Sequence, residues 1–71
     1  MMRNKDIVGA IVSLNHPVLF LDSEDNKAPV GTKCYVASTF QGKFSLRRAG
    51  DGRWLKSVRR EDFTLVFAVE L

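Results

Sequence analysis

Cysteine and histidine each occur once in these 71 residues, as Cys34 and His16. One cysteine rules out an intramolecular disulfide, the staple a secreted domain of this size normally relies on. The natural expectation is a reducing, cytoplasmic setting. One cysteine and one histidine also exclude a four-ligand zinc site. A nucleophile, a base and an orienting group are not found together either. His16 lies in a proline-flanked turn away from any serine or from Cys34, and Cys34 reads as a small buried hydrophobe. Gly31-Thr32 has no upstream glycine and its lysine follows the threonine, so no phosphate-cradling loop is present. The acidic stretch Asp22, Glu24, Asp25, Asn26 lacks the ligand spacing of a calcium loop. Paired carboxylates occur only as the adjacent Glu61-Asp62, which suit the capping of a turn. No enzyme, cofactor or metal is expected.

Long hydrophobic runs are missing as well. The longest candidate, IVGAIVSL after Arg3 and Lys5, falls far short of the ~20 residues that cross a bilayer. Asp6 stands between charge and run, Asn15-His16-Pro17 interrupts it, and no small-residue cleavage site follows. The reading is therefore neither export nor membrane insertion. Apolar residues nowhere recur at helical spacing over ten or twelve positions, which argues against a helical fold.

What is present is a series of short β-type runs separated by turn residues. Ile7–Leu14 is rich in β-branched residues and reads as a strand, ended by Pro17. Val18–Leu21 is a second short extended piece, followed by the polar loop DSEDNKAPVG. Lys33–Thr39 and Lys43–Arg48 read as the next strands, joined by a tight turn at Gln41-Gly42. Ala49-Gly50-Asp51-Gly52 is the strongest hairpin signal, because glycine and aspartate tolerate positive φ. Arg53–Val58 returns, Arg59–Asp62 suits one helical turn, and Thr64–Val69 closes a single domain spanning 1–71, with 1–6 as a flexible N-terminus. Alternation puts Val12, Leu14, Cys34, Val36, Phe44, Leu46 and Val58 inside, joined by several of Phe63, Leu65, Val66 and Phe67. On the Arg53–Val58 strand Trp54 and Val58 share a parity with Lys56, so a bulge between them is expected.

This order of elements resembles the SH3-like small barrels, including KOW-type and Tudor-like variants. The residues that carry the resemblance are Gly9-x-x-Val12-x-Leu14, Pro29-Val30-Gly31-Thr32, the Gly-Asp-Gly hairpin, and Trp54-x-x-x-Val58 followed by Arg59-Arg60-Glu61-Asp62-Phe63. It spans nearly the whole chain as a pattern of spacing. It departs from the KOW motif at Cys34, where that motif places glycine. The fold it implies is an all-β, SH3-like barrel of five or six short antiparallel strands with a 3-10 turn before the last. Such barrels host many functions.

Charge then narrows the function. Residues 1–32 carry three basic and four acidic side chains, whereas residues 33–60 carry eight basic ones opposed only by Asp51. Arg47, Arg48, Arg53, Lys56, Arg59 and Arg60 would be gathered by the fold, with Trp54 interleaved as a stacking platform. The excess of arginine favours bidentate phosphate contacts. The chain thus reads as a non-enzymatic binding module, a small regulator or adaptor that meets nucleic acid or an acidic protein surface in transcription or similar machinery. The alternative is a protein–protein module docking through an apolar patch of Ile11, Phe20, Tyr35 and Phe40, or through an edge strand. Phe20 could equally cover one end of the barrel. Monomer or weak homodimer is the expected state. An aromatic cage from Tyr35, Phe40 and Trp54 would need the three rings to converge, and nothing in their spacing brings them together.

Overall fold

The computed structural model describes residues 3–67, the side chains of Lys56 and Phe67 excepted. Among the described residues seven strands follow one another: β1 (Ile11–Leu14), β2 (Val18–Leu19), β3 (Lys27–Ala28), β4 (Lys33–Phe40), β5 (Lys43–Arg48), β6 (Trp54–Arg59) and β7 (Phe63–Phe67). Short 3-10 turns span Asn4–Ile7 and Arg60–Asp62. The main sheet is antiparallel in the order β6-β5-β4-β1-β7, and β2 and β3 form a separate small hairpin within the first long connection. The all-β architecture and the 3-10 turn before the last strand are those expected from the sequence. The β4-β5-β6 meander is joined through β1 to β7.

The first strand is shorter than its β-branched run predicts. Ile7 closes a 3-10 turn whose entry is fixed by the Asp6 carboxylate accepting the Arg3 backbone N–H at 3.1 Å. Gly9 then adopts φ +94°, a conformation open to glycine, and the strand begins only at Ile11. Ile7 is nevertheless buried.

Rolling of the sheet is forced by its core. In a flat sheet β5 and β7, three strand spacings apart, would lie about 14 Å from each other. Yet Phe44 on β5 and Phe63 on β7 meet edge to face, with ring centroids 5.1 Å apart at 89°. Bulges permit the bend, since an extra residue bends a strand and increases its twist. The register shifts at Ala37 in β4, between Leu55 and Val58 in β6, and at Val66 in β7. The inward faces bury Val12, Leu14, Cys34, Val36, Phe44, Leu46, Val58 and Phe63, as alternation predicts, and Leu65 packs partly against them. Val66 turns outward at its bulge, and the Phe67 side chain lies outside the described residues.

The sixth strand carries the expected bulge, which resolves the parity of Trp54 by turning Leu55 inward. Phe44 pairs with Val58 and Leu46 with Leu55, so three steps along β6 match two along β5. Ser57 takes up the difference at φ +61°. Leu55 and Val58 are both buried, and Trp54 faces outward. Phe20, from the loop after β2, covers one end of the core and is 3% exposed. The next residue, Leu21, donates its N–H to the Trp54 carbonyl at 2.8 Å and so fastens the loop to the outer edge of β6.

Because the bulge sorts the two neighbouring side chains to opposite faces, their truncation should differ sharply. Leu55→Ala should cost about 2–5 kcal/mol by urea denaturation, and Trp54→Ala no more than about 1 kcal/mol. The reverse order would place Trp54 in the core.

Candidate nucleic-acid interface

The sequences of β4, β5 and β6 contain no aspartate or glutamate, and their outer face collects cations beside aromatic rings. Pairing register arranges these side chains in rows. Ile11 lies opposite Tyr35, Tyr35 opposite Arg47, and Arg47 opposite Trp54, so one row crosses β1, β4, β5 and β6. Its neighbours Val12, Cys34, Leu46 and Leu55 point inward, which sets the row on the outside. Tyr35 and Trp54 are 48% and 39% exposed.

Arg47 is the central member and is held in place. Its guanidinium carbon lies 5.1 Å from the Trp54 ring centroid, and its Nε donates to the Gly52 carbonyl at 3.2 Å. A side chain at residue 52 would collide with it, because a Cβ there would stand 2.6 Å from Arg47 Nη2. The hairpin glycine therefore makes room for the arginine. Tyr35, Ala37, Arg47, Arg48 and the turn residues Gly50–Gly52 line a shallow groove of about 490 Å³.

A second row lies four residues along β5, roughly 13 Å away at strand rise. Here Phe40 pairs with Lys43 and Lys43 with Arg59. Phe40 is 76% exposed. Between the rows Ser38 pairs with Ser45, a floor of small polar side chains. Among the described residues no carboxylate lies within ion-pair distance of Lys43, Arg47 or Arg59.

The basic cluster expected from sequence divides on this geometry. Arg47, Trp54 and Arg59 stand on the outer face, and Lys43, absent from the expected set, joins them. Arg48 is ion-paired to Asp51 within the hairpin turn, and Arg53 to Asp22 at 2.9 Å. Both guanidinium groups also lie over the Phe20 ring, at 4.8 and 3.8 Å from its centroid, so these two arginines close the end of the core. Arg60 folds back, donating from Nη1 to the Phe63 carbonyl at 3.0 Å and lying over that ring. Lys56 belongs to β6, but its side chain lies outside the described residues. The expected apolar patch does not assemble. Phe20 is buried, Phe40 lies in the distant row, and only Ile11 and Tyr35 are neighbours, within the Arg47 row. The signal that sequence reading passed over is the register of the Ala49–Gly52 hairpin, which puts Arg47 opposite Trp54.

Ion pairing sets the acid–base behaviour of the hairpin. The Arg48 guanidinium, helped by the Arg53 N–H, holds the Asp51 carboxyl down to about 2 from its ordinary 3.8. Arg53 lowers Asp22 in the same sense, and Arg3 lowers Asp6. Cys34 differs: it is fully buried, and burial pushes its thiol up to about 11. A thiolate nucleophile is thereby disfavoured at neutral pH.

Compared with protein-family models, with curated proteins and with solved structures, the chain finds no match. Among the described residues no helix is long and apolar enough to cross a membrane.

Two outcomes follow from these groups. A carboxylate whose folded pKa is depressed contributes stability above its unfolded pKa, and that contribution is lost as pH falls toward the folded value. The urea midpoint should therefore drop between about pH 4 and pH 2. Asp51→Asn should flatten that fall, and an unchanged profile would show that the Arg48 pair adds nothing. Separately, Cys34 should react with an aromatic disulfide reagent at pH 8 only at the rate of unfolding. Immediate stoichiometric labelling of the folded protein would contradict its burial.

Proposed function

We propose that this protein is a non-enzymatic binding module for nucleic acid, working through the outer face of β4, β5 and β6. The observation that carries the reading is the Tyr35–Arg47–Trp54 row, in which a fixed arginine without a carboxylate partner among the described residues stands between two exposed rings. Phosphate binding asks for guanidinium and ammonium groups that are not already neutralised, and Arg47, Lys43 and Arg59 supply them. Phosphate alone asks for no aromatic surface. Rings beside cations are what strand-binding surfaces use to engage bases and backbone together. A chain of this kind serves as a small regulator or adaptor of nucleic-acid machinery, transcription included, in a reducing cytoplasmic setting that agrees with its single unpaired thiol.

Fluorescence anisotropy with labelled mixed-sequence single-stranded and duplex DNA, from 20 to about 200 mM salt, tests the reading. The three free cations among the described residues of this face predict a log–log salt slope of roughly −2 on single strands, at about −0.7 per phosphate neutralised. Arg47→Ala should weaken binding and make the slope shallower by about 0.7, whereas Arg48→Ala should leave the slope unchanged. Absence of binding to either DNA at low salt, or binding indifferent to Arg47→Ala combined with Lys43→Ala, would instead point to a protein partner.

A further inference from the structure

A second hollow, of about 350 Å³, lies beside Trp54 and is lined by Leu21, Ser38, Ser45 and Trp54. Arg47 stacks on the same ring but is not among the lining residues, so the indole serves two neighbours: the guanidinium and this opening. We infer that the hollow receives one unstacked base and that the face consequently prefers single strands to duplex, an inference that rests on the nucleic-acid reading above.

The composition of the walls fits a heterocyclic base better than it fits a phosphate or an aliphatic side chain. Trp54 offers an aromatic surface that is 39% exposed, and Leu21, 54% exposed, offers an apolar wall. Ser38 and Ser45, paired across β4 and β5, bring hydroxyls that both donate and accept, as the edge of any base requires. Among the described side chains no charged one lines the hollow. The volume lies at the small end of ligand sites, about 300–1,000 Å³. The wall is fixed in advance: the N–H of Leu21 is bonded to the Trp54 carbonyl at 2.8 Å, and Phe20 next to it is anchored in the core.

Position completes the argument. The hollow sits between the Arg47 row and the Lys43–Arg59 row, so a strand crossing the sheet would meet a cation on each side of the docked base. A base within a duplex keeps both its faces stacked and would have to be flipped out to enter, whereas a single strand offers its bases freely. Because stacking on an aromatic side chain tolerates every base, discrimination between strand and duplex is expected, with little sequence preference.

The test compares a 12-nucleotide oligo(dT) with an abasic strand of equal length and charge. Affinity is measured by anisotropy of labelled strands, and quenching of tryptophan emission is followed with unlabelled ones. Trp54 is the sole tryptophan, so the emission reports this ring alone. The oligo(dT) should bind roughly five-fold or more tightly than the abasic strand and should quench Trp54, with the same salt slope for both. In Trp54→Ala the oligo(dT) and abasic strands, measured on the same variant, should bind equally, so that the five-fold ratio falls to about one. Equal affinities, or emission unchanged at saturation, would overturn the base site and leave phosphate binding standing. Failure of both strands to bind would overturn the nucleic-acid reading itself, and the base site with it.

Discussion

A single extra residue in β6 decides what this molecule shows to its surroundings. Strand alternation would otherwise place Trp54, Lys56 and Val58 on one side, a choice between burying a lysine and exposing the core. Ser57 breaks the alternation by entering the left-handed region at φ +61°. Leu55 and Val58 both turn inward as a result, and Trp54 is released to the outer face opposite Arg47. For a residue other than glycine such a backbone conformation costs about 1–2 kcal/mol. Two fully buried apolar side chains more than offset it, at about 1.5–3 kcal/mol each. The barrel's interior and its aromatic exterior thus share one origin.

Neutralisation divides the charges of the second half of the chain into two populations. Arg48 and Arg53 are held by Asp51 and Asp22 over the Phe20 ring, where their planar groups act as a lid on the apolar interior. Arginine is suited to this double role because its guanidinium is planar and weakly hydrated, so it stacks on a ring while its edge bonds a carboxylate. Arg47, Lys43 and Arg59 stay outside these pairs. The count of basic residues therefore overstates the charge available to a partner, while their arrangement in rows concentrates what remains along two lines across the sheet.

Much of the fold was legible because it obeys two-residue alternation and glycine-marked turns. Val12 with Leu14, Cys34 with Val36, and Phe44 with Leu46 are inside for that reason, and Gly50-Asp51-Gly52 marks its hairpin by composition alone. Leu55 was hidden because the bulge is made by a serine, which carries no compositional flag for positive φ. Ile7 and Phe20 lie outside the regular strands, where alternation does not speak. Of the charge pairs, Arg48–Asp51 spans three residues within the turn and could have been read from it. Arg53–Asp22 joins positions 31 apart and depends on the loop folding over the barrel end. The Tyr35–Arg47–Trp54 row was recoverable in principle by counting outward from the hairpin, but only with the register of both pairings in hand.

Asn15, just past β1, ties distant parts of the chain together. Its N–H reaches the Asp62 carbonyl at 2.7 Å, its side-chain amide the Glu61 carbonyl at 3.3 Å, and its Oδ1 accepts from the Thr64 hydroxyl at 2.9 Å. β1 itself is flanked by β4 and β7, so the earliest strand is completed by the last. Topologies of this kind are rich in non-local contacts and fold slowly for their size. On a ribosome, β1 must wait with one edge bare until residues 63–67 have emerged, and the exposed meander of β4, β5 and β6 exists before the interior is sealed. Closure is therefore an event that follows synthesis of β7, and until then the half-made barrel offers an open strand edge to whatever chain is nearest.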